Sequence, residues 1–143
     1  MPVVAKGYSK GVKNLLNGTI DFDTDAGIKI ALLNAHTPNQ NTHEFFSDVV
    51  ANQITGTGYT ARGQALANKS VSVASNVVKL DADDPTWANS TITATHAVVY
   101  KDTGVDGTSP LISYIDFGGS QVSSSGEFKI TLDALGLLSI TVN

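Results

Sequence analysis

Residues 90–101, Ser-Thr-Ile-Thr-Ala-Thr-His-Ala-Val-Val-Tyr-Lys, alternate apolar with polar at first and then run apolar from Ala97 to Tyr100. Alternation is the period of a strand with one wet face, and an unbroken apolar run suits a strand covered on both faces. The stretch therefore predicts a long central strand. Asp102-Thr103-Gly104-Val105-Asp106-Gly107 follows as a turn of the Asp/Gly type, and residues 110–117, Pro-Leu-Ile-Ser-Tyr-Ile-Asp-Phe, read as the returning arm of a hairpin.

Working outward, Ile28-Lys29-Ile30-Ala31-Leu32-Leu33 predicts a second strong strand. Residues 19–25 alternate and turn at Asp25-Ala26-Gly27, which predicts a hairpin with it. Val71, Val73, Val77 and Leu80 flank a turn at Ala74-Ser75-Asn76 as another hairpin. Residues 118–126 read as a Gly/Ser connection into a strand over 127–132, where Phe128, Ile130 and Leu132 share a face, and residues 137–142 form the last strand. Two short helices are expected. One covers 8–18, with Tyr8, Val12, Leu15 and Leu16 at helical spacing and Asn17-Gly18 as its stop; the other covers 42–52, with Thr42 as N-cap and Phe45, Phe46, Val49 and Val50 on one face. Residues 54–69 carry three glycines without a period and read as a loop leading into a strand. About seven or eight strands at roughly 10-residue spacing predict an all-β domain, a sandwich or a jelly-roll-like barrel, over residues 1–143.

Composition agrees with that reading. The 143 residues include 14 Val, 9 Ile and 15 Thr, which favour a pleated surface, and 11 Asp against 2 Glu, which favours turns over helices. A net charge of −4 with only 9 scattered basic residues argues against a nucleic-acid partner. Without cysteine there is no disulfide, thiolate metal site or cysteine nucleophile. No apolar run approaches the roughly 18 residues of a membrane span, and the opening residues lack the charged head and apolar core of a secretory signal, which predicts a protein made and used without secretion.

Candidate chemistry is sparse. His36, His43 and His96 have no ligand spacing and read as scattered polar side chains rather than a metal set. Asp21, Asp23 and Asp25, if on alternating strand positions, share one sheet face on which a hard cation could bridge them, but solvated edge and turn aspartates are the preferred reading. Asp81, Asp83 and Asp84 read as turn formers before Pro85. Gly-x-Ser-x-Gly is absent, and Gly56-Thr57-Gly58 lacks the lysine and hydroxyl of a phosphate loop. No catalytic, cofactor or metal residue is assigned. Trp87, the sole tryptophan, reads as core or rim packing, with interface anchoring as its alternative.

Taken in order, several segments look alike to a known group. Asn17-Gly18-Thr19-Ile20-Asp21-Phe22, residues 28–33, Gly56-Thr57-Gly58-Tyr59-Thr60, Gly63-Gln64-Ala65-Leu66, Asp83-Asp84-Pro85-Thr86-Trp87, Ala97-Val98-Val99-Tyr100-Lys101-Asp102-Thr103-Gly104, Ser109-Pro110-Leu111-Ile112 and Ile115-Asp116-Phe117-Gly118 resemble small structural proteins of tailed bacteriophages. The resemblance runs from about Gly7 to the end of the sequence. It implies a non-enzymatic virion component of the capsid decoration (cement) type, made in the host cytoplasm and placed on the capsid surface. Its implied partners are the major capsid protein or other virion proteins. A homo-oligomer is implied as well, a trimer by analogy with proteins that sit on local threefold axes. The alternatives are a tail or baseplate component and a glycan- or receptor-binding β module, which would expose Trp87, Tyr59 or Tyr100 on a concave face. Residues 1–7 are expected to form an N-terminal arm, and Pro2, Val3, Val4, Trp87 and Tyr59 are the expected interface residues.

Overall fold

The computed structural model describes residues 3–143. The domain is built from two antiparallel sheets and one helix. Strands β1 (Ala5–Gly7), β2 (Ile28–Leu33), β3 (Gln64–Ala65), β6 (Thr86–Lys101) and β7 (Leu111–Lys129) form a five-stranded sheet in the order β1-β7-β6-β2-β3. Strands β4 (Ser70–Ala74), β5 (Val77–Asp81) and β8 (Leu138–Thr141) form a three-stranded sheet in the order β4-β5-β8. Helix α1 (Ser9–Leu16) follows β1. The predicted all-β sandwich is what the chain forms. Among the described residues no helix is long and apolar enough to cross a membrane.

The five-stranded sheet is apolar on both faces at its centre. One face carries Ile30 and Leu32 of β2, Ala97 and Val99 of β6, and Ile112 and Ile115 of β7, which share a core with Leu80 of β5 and Leu138 of β8 in the smaller sheet. The opposite face carries Ala31, Leu33, Val98, Tyr100, Leu111 and Tyr114, and is covered by Tyr8, Phe46 and Val49. Phe46 stacks on Tyr100 with ring centroids 4.3 Å apart. Residues that alternate in a strand point to opposite faces, so a continuous apolar run is required once both faces are covered.

Two glycines set close approaches. Gly63 has φ +79, and a Cβ there would collide with the Ile30 carbonyl oxygen. Gly11 lets α1 press on β7, where a Cβ would come within 2.8 Å of the Ile112 carbonyl oxygen. The hairpin turn between β4 and β5 is made by Ser75 and Asn76, both at positive φ (50° and 65°), the backbone that matches the right-handed twist of the flanking strands.

Four expectations are corrected. Residues 19–25 are not a strand: Ile20 and Phe22 are buried, but the backbone turns, with the Asp25 N–H donating to the Asp21 carbonyl and the Asp21 N–H to Asp25 Oδ2, each at 2.9 Å. Aspartate side chains offer the backbone this local alternative to a ladder. Residues 42–52 form no α-helix and Thr42 caps nothing; two short 3-10 turns stand instead (Phe46–Asp48 and Val50–Asn52). Their backbone is engaged elsewhere, since Phe46 N–H donates to the Ser109 carbonyl and Leu111 N–H to that of Glu44, both at 2.8 Å. The Gly/Ser segment 118–126 is no connection but the middle of β7, paired to β6 through Thr93 with Val122 and Ala94 with Gln121. It is tolerated because the β6–β7 ladder is repeatedly bulged, with register shifts between Trp87 and Ser90, Ser90 and Ile92, Ala94 and His96, and Val99 and Tyr100. Finally, the expected arm is part of the sheet: Ala5, Lys6 and Gly7 pair with Ile115, Tyr114 and Ser113, and Val3 bridges Leu132. Met1 and Pro2 lie outside the described residues.

Candidate functional site

Of the expected interface residues, two are internal. Trp87 is 4% exposed and meets Phe128 edge-on, ring centroids 6.0 Å apart, so it is core and not an anchor. Tyr59 is half-buried, donates from its hydroxyl to Gln53 Oε1 at 2.9 Å and accepts the Leu32 N–H at 3.2 Å; burial pushes its pKa up to about 12. Tyr100 is wholly buried and donates to the Arg62 carbonyl at 2.7 Å. Trp87 and Tyr100 thus offer no open aromatic face. Val3 is half-buried in its bridge to Leu132, Val4 is exposed, and Pro2 is outside the described residues.

Members of the acidic clusters take structural duties. Asp25 pairs with Lys101 Nζ at 2.9 Å, Asp81 Oδ1 accepts the Ala82 N–H at 2.9 Å, Asp83 accepts from the Asn68 amide, and Asp84 Oδ1 accepts the Leu132 N–H at 3.0 Å. The expected common sheet face for Asp21, Asp23 and Asp25 is absent because that segment is a turn. Among the described residues no three His, Cys, Asp or Glu side chains form a group able to hold a metal ion as they stand. Asp102, its side chain 8% exposed, is clamped by Lys29 Nζ at 2.8 Å and Arg62 Nη1 at 2.9 Å. Burial pushes its pKa up, but the Lys29 hydrogen bond, the Gly104 N–H and the two cations outweigh that and leave it below the ordinary value. This cluster ties the loop after β6 to the 54–63 segment, and Arg62 also lies 5.5 Å over the Phe46 ring.

Two features were not legible as sites in the sequence. The first is the histidines, which are gathered rather than scattered: the His36 ring lies 5.7 Å from that of His43 and 5.6 Å from that of His96. They arrive from the loop after β2, the loop before the first 3-10 turn, and β6, so no linear spacing foretells the meeting.

The second is the β4 edge. All five residues of Ser70–Ala74 are exposed, and among the described residues β4 has a neighbour on one side only. In register, Val73 stands beside Val78 and Ile140, and Val71 beside Leu80 and Leu138. The stripe is thus core at Leu80 and Leu138 and open at Val71 (47% exposed) and Val73 (69%). The strand contains no charge and no proline, the devices that usually blunt a free edge. A groove of about 310 Å³ lies elsewhere, lined by Val3, Phe117, Phe128 and Ile130 together with Glu127 and Lys129. No protein-family profile, curated protein or solved structure matches the chain.

Proposed function

We propose that this chain is a non-enzymatic structural component of a tailed-phage particle, of the capsid decoration type, acting by binding and stabilising a repeated protein lattice. The observation that carries the reading is the β4 edge: a strand with unpaired backbone groups, an apolar stripe at Val71 and Val73 and no protective charge is suited to addition against a neighbouring subunit. The resemblance of the ordered segments between Gly7 and the end of the sequence to phage structural proteins supports it, and supplies the head lattice as the partner. Self-association through the same edge accounts for a homo-oligomer, because edge pairing is satisfied by a second copy as well as by a different chain.

Immunogold electron microscopy of purified phage particles, with antibody raised against this chain, is the test. Regular label over heads is the expected result. Label confined to the tail or its tip moves the protein to a tail or baseplate role, and particles without label overturn the reading. Sedimentation of the purified protein tests the oligomer separately: a monomer at every accessible concentration removes self-association while leaving lattice binding intact.

A further inference from the structure

His36 is 6% exposed, and among the described residues its only side-chain hydrogen-bond partner is Asn52 Oδ1, 3.2 Å from Nδ1. An amide oxygen only accepts, so Nδ1 carries the proton and Nε2 is a lone pair; that Nε2 is buried and has no partner among the described residues. On either side stand the His43 and His96 rings. The Tyr8 ring lies 6.2 Å from that of His43 and 5.2 Å from that of Tyr114.

The charges around this trio do not favour a cation at its centre. Asp116 Oδ2 on β7 is 3.6 Å from Nε2 of His96, and His96 Nδ1 lies 2.8 Å from Thr95 Oγ1. Asp48 and Lys10 are the charged neighbours on the His43 side, and the Glu44 carboxylate is taken up by Lys10 and Lys13. Each carboxylate thus lies toward a flanking ring, while His36 faces a neutral amide.

Residues 36–53 hold the cover of the second core. That segment carries Phe46 and Val49 onto Val98, Tyr100 and Leu111. It is pinned at its C-terminal end by Asn34 N–H to the Asn52 carbonyl at 2.9 Å and by the bridge between Leu33 and Gln53. Asn52, the partner of His36, belongs to this pin.

We infer that the His36–His43–His96 cluster, with Asn52, is an acid-sensitive latch that holds residues 36–53 over the sheet when neutral and releases them when protonated. A proton on His36 would place a new N–H donor at an interior Nε2 that has no hydrogen-bond partner among the described residues. Burial, together with His96 and His43, pushes the His36 pKa below the ordinary value of 6.5 against the raising effect of Asn52. The sign follows: the unfolded or opened segment binds the proton more readily, so stability is full above about pH 6.5 and declines as pH falls below it. Carboxylate effects set in below about pH 5, under the interval in which His36 acts. The latch belongs to the folded domain and is independent of any virion role.

The test is thermal unfolding and amide exchange at pH 7.5 and pH 5.5 for the wild type, His36→Gln and Asn52→Asp. The wild-type Tm is expected to fall by about 3–6 °C over that interval, with protection lost first at Phe46 and Leu111 and retained at Ile30 and Val98. His36→Gln, which keeps a donor for Asn52 but cannot charge, should hold its Tm nearly constant. Asn52→Asp, which sets a carboxylate against Nδ1, should shrink the fall or reverse it. A wild-type fall reproduced in full by His36→Gln overturns the latch; should that variant not fold, an unchanged fall in Asn52→Asp does so. Loss of protection spread evenly over both cores overturns it as well.

Discussion

Strands β2 and β4 are close in length and both rich in branched side chains, yet one is the most enclosed element of the molecule and the other the most exposed. Ile28-Lys29-Ile30-Ala31-Leu32-Leu33 lies between β6 and β3 and is buried on both faces except at Lys29, whose ammonium reaches Asp102. Ser70-Val71-Ser72-Val73-Ala74 lies at the rim of the smaller sheet and, among the described residues, has β5 as its only neighbour. Branched residues make either sequence a good strand; what differs is the filling of the second face. Leu and Ala at alternate positions let β2 be covered twice, whereas serine at alternate positions in β4 keeps its second face wet. The wet strand is left with a hydrogen-bonding edge and two valines to satisfy by other means.

The contrast can be broken first at β2. Leu32→Ala should lose about 2–5 kcal/mol in urea unfolding, the range for emptying a fully enclosed leucine site; a loss under 1 kcal/mol would show that the β2 face is loosely packed. Gly63→Ala should cost about 1–3 kcal/mol, since it meets both a left-handed backbone and the Ile30 carbonyl, and would show that β3 must press closely on β2. Asp102→Asn tests the polar clamp on the same strand. Asp102, like Asp25 and Asp48, is held below its ordinary pKa, so its contribution is present above about pH 4 and lost as pH falls through the lowered value. The variant should therefore be less stable than the wild type at pH 7 and show a shallower decline between pH 5 and pH 3 in urea titrations. Val73→Lys should come last in unfolding, within about 0.5 kcal/mol of the wild type. The same variant should nevertheless abolish self-association in sedimentation, since it puts a charge on the open edge.

The centre of the fold was legible because its residues obey one rule over a long stretch. Residues 28–33 and 97–101 are apolar at nearly every position, as strands covered on both faces require. The β4–β5 hairpin was readable from Ser75-Asn76 and the valines on either side. The long β7 was not, because Gly118, Gly119 and the serines at 123–125 carry local turn preferences that pairing with a bulged β6 overrides. The turn at 19–25 mimicked a strand because Ile20 and Phe22 are both buried, although turned backbone brings them in. Trp87 as core followed from its preferred reading. The histidine cluster escaped entirely: His36 and His96 are 60 residues apart in the chain and meet only because Leu33 pairs with His96 at the end of the β2–β6 ladder.

The docking of β1 on β7 sets an order of events during synthesis. Ala5 pairs with Ile115, so β1 must wait during synthesis until β6 and the start of β7 have followed before its own partner exists. Helix α1, which rests on β7 through Gly11, waits with it. A nascent chain is therefore unable to complete the large sheet piecemeal. Folding depends on closing long loops, which places the domain among the slower folders, on the millisecond-to-second scale, and leaves the uncharged β4 segment exposed to neighbouring nascent chains while it waits.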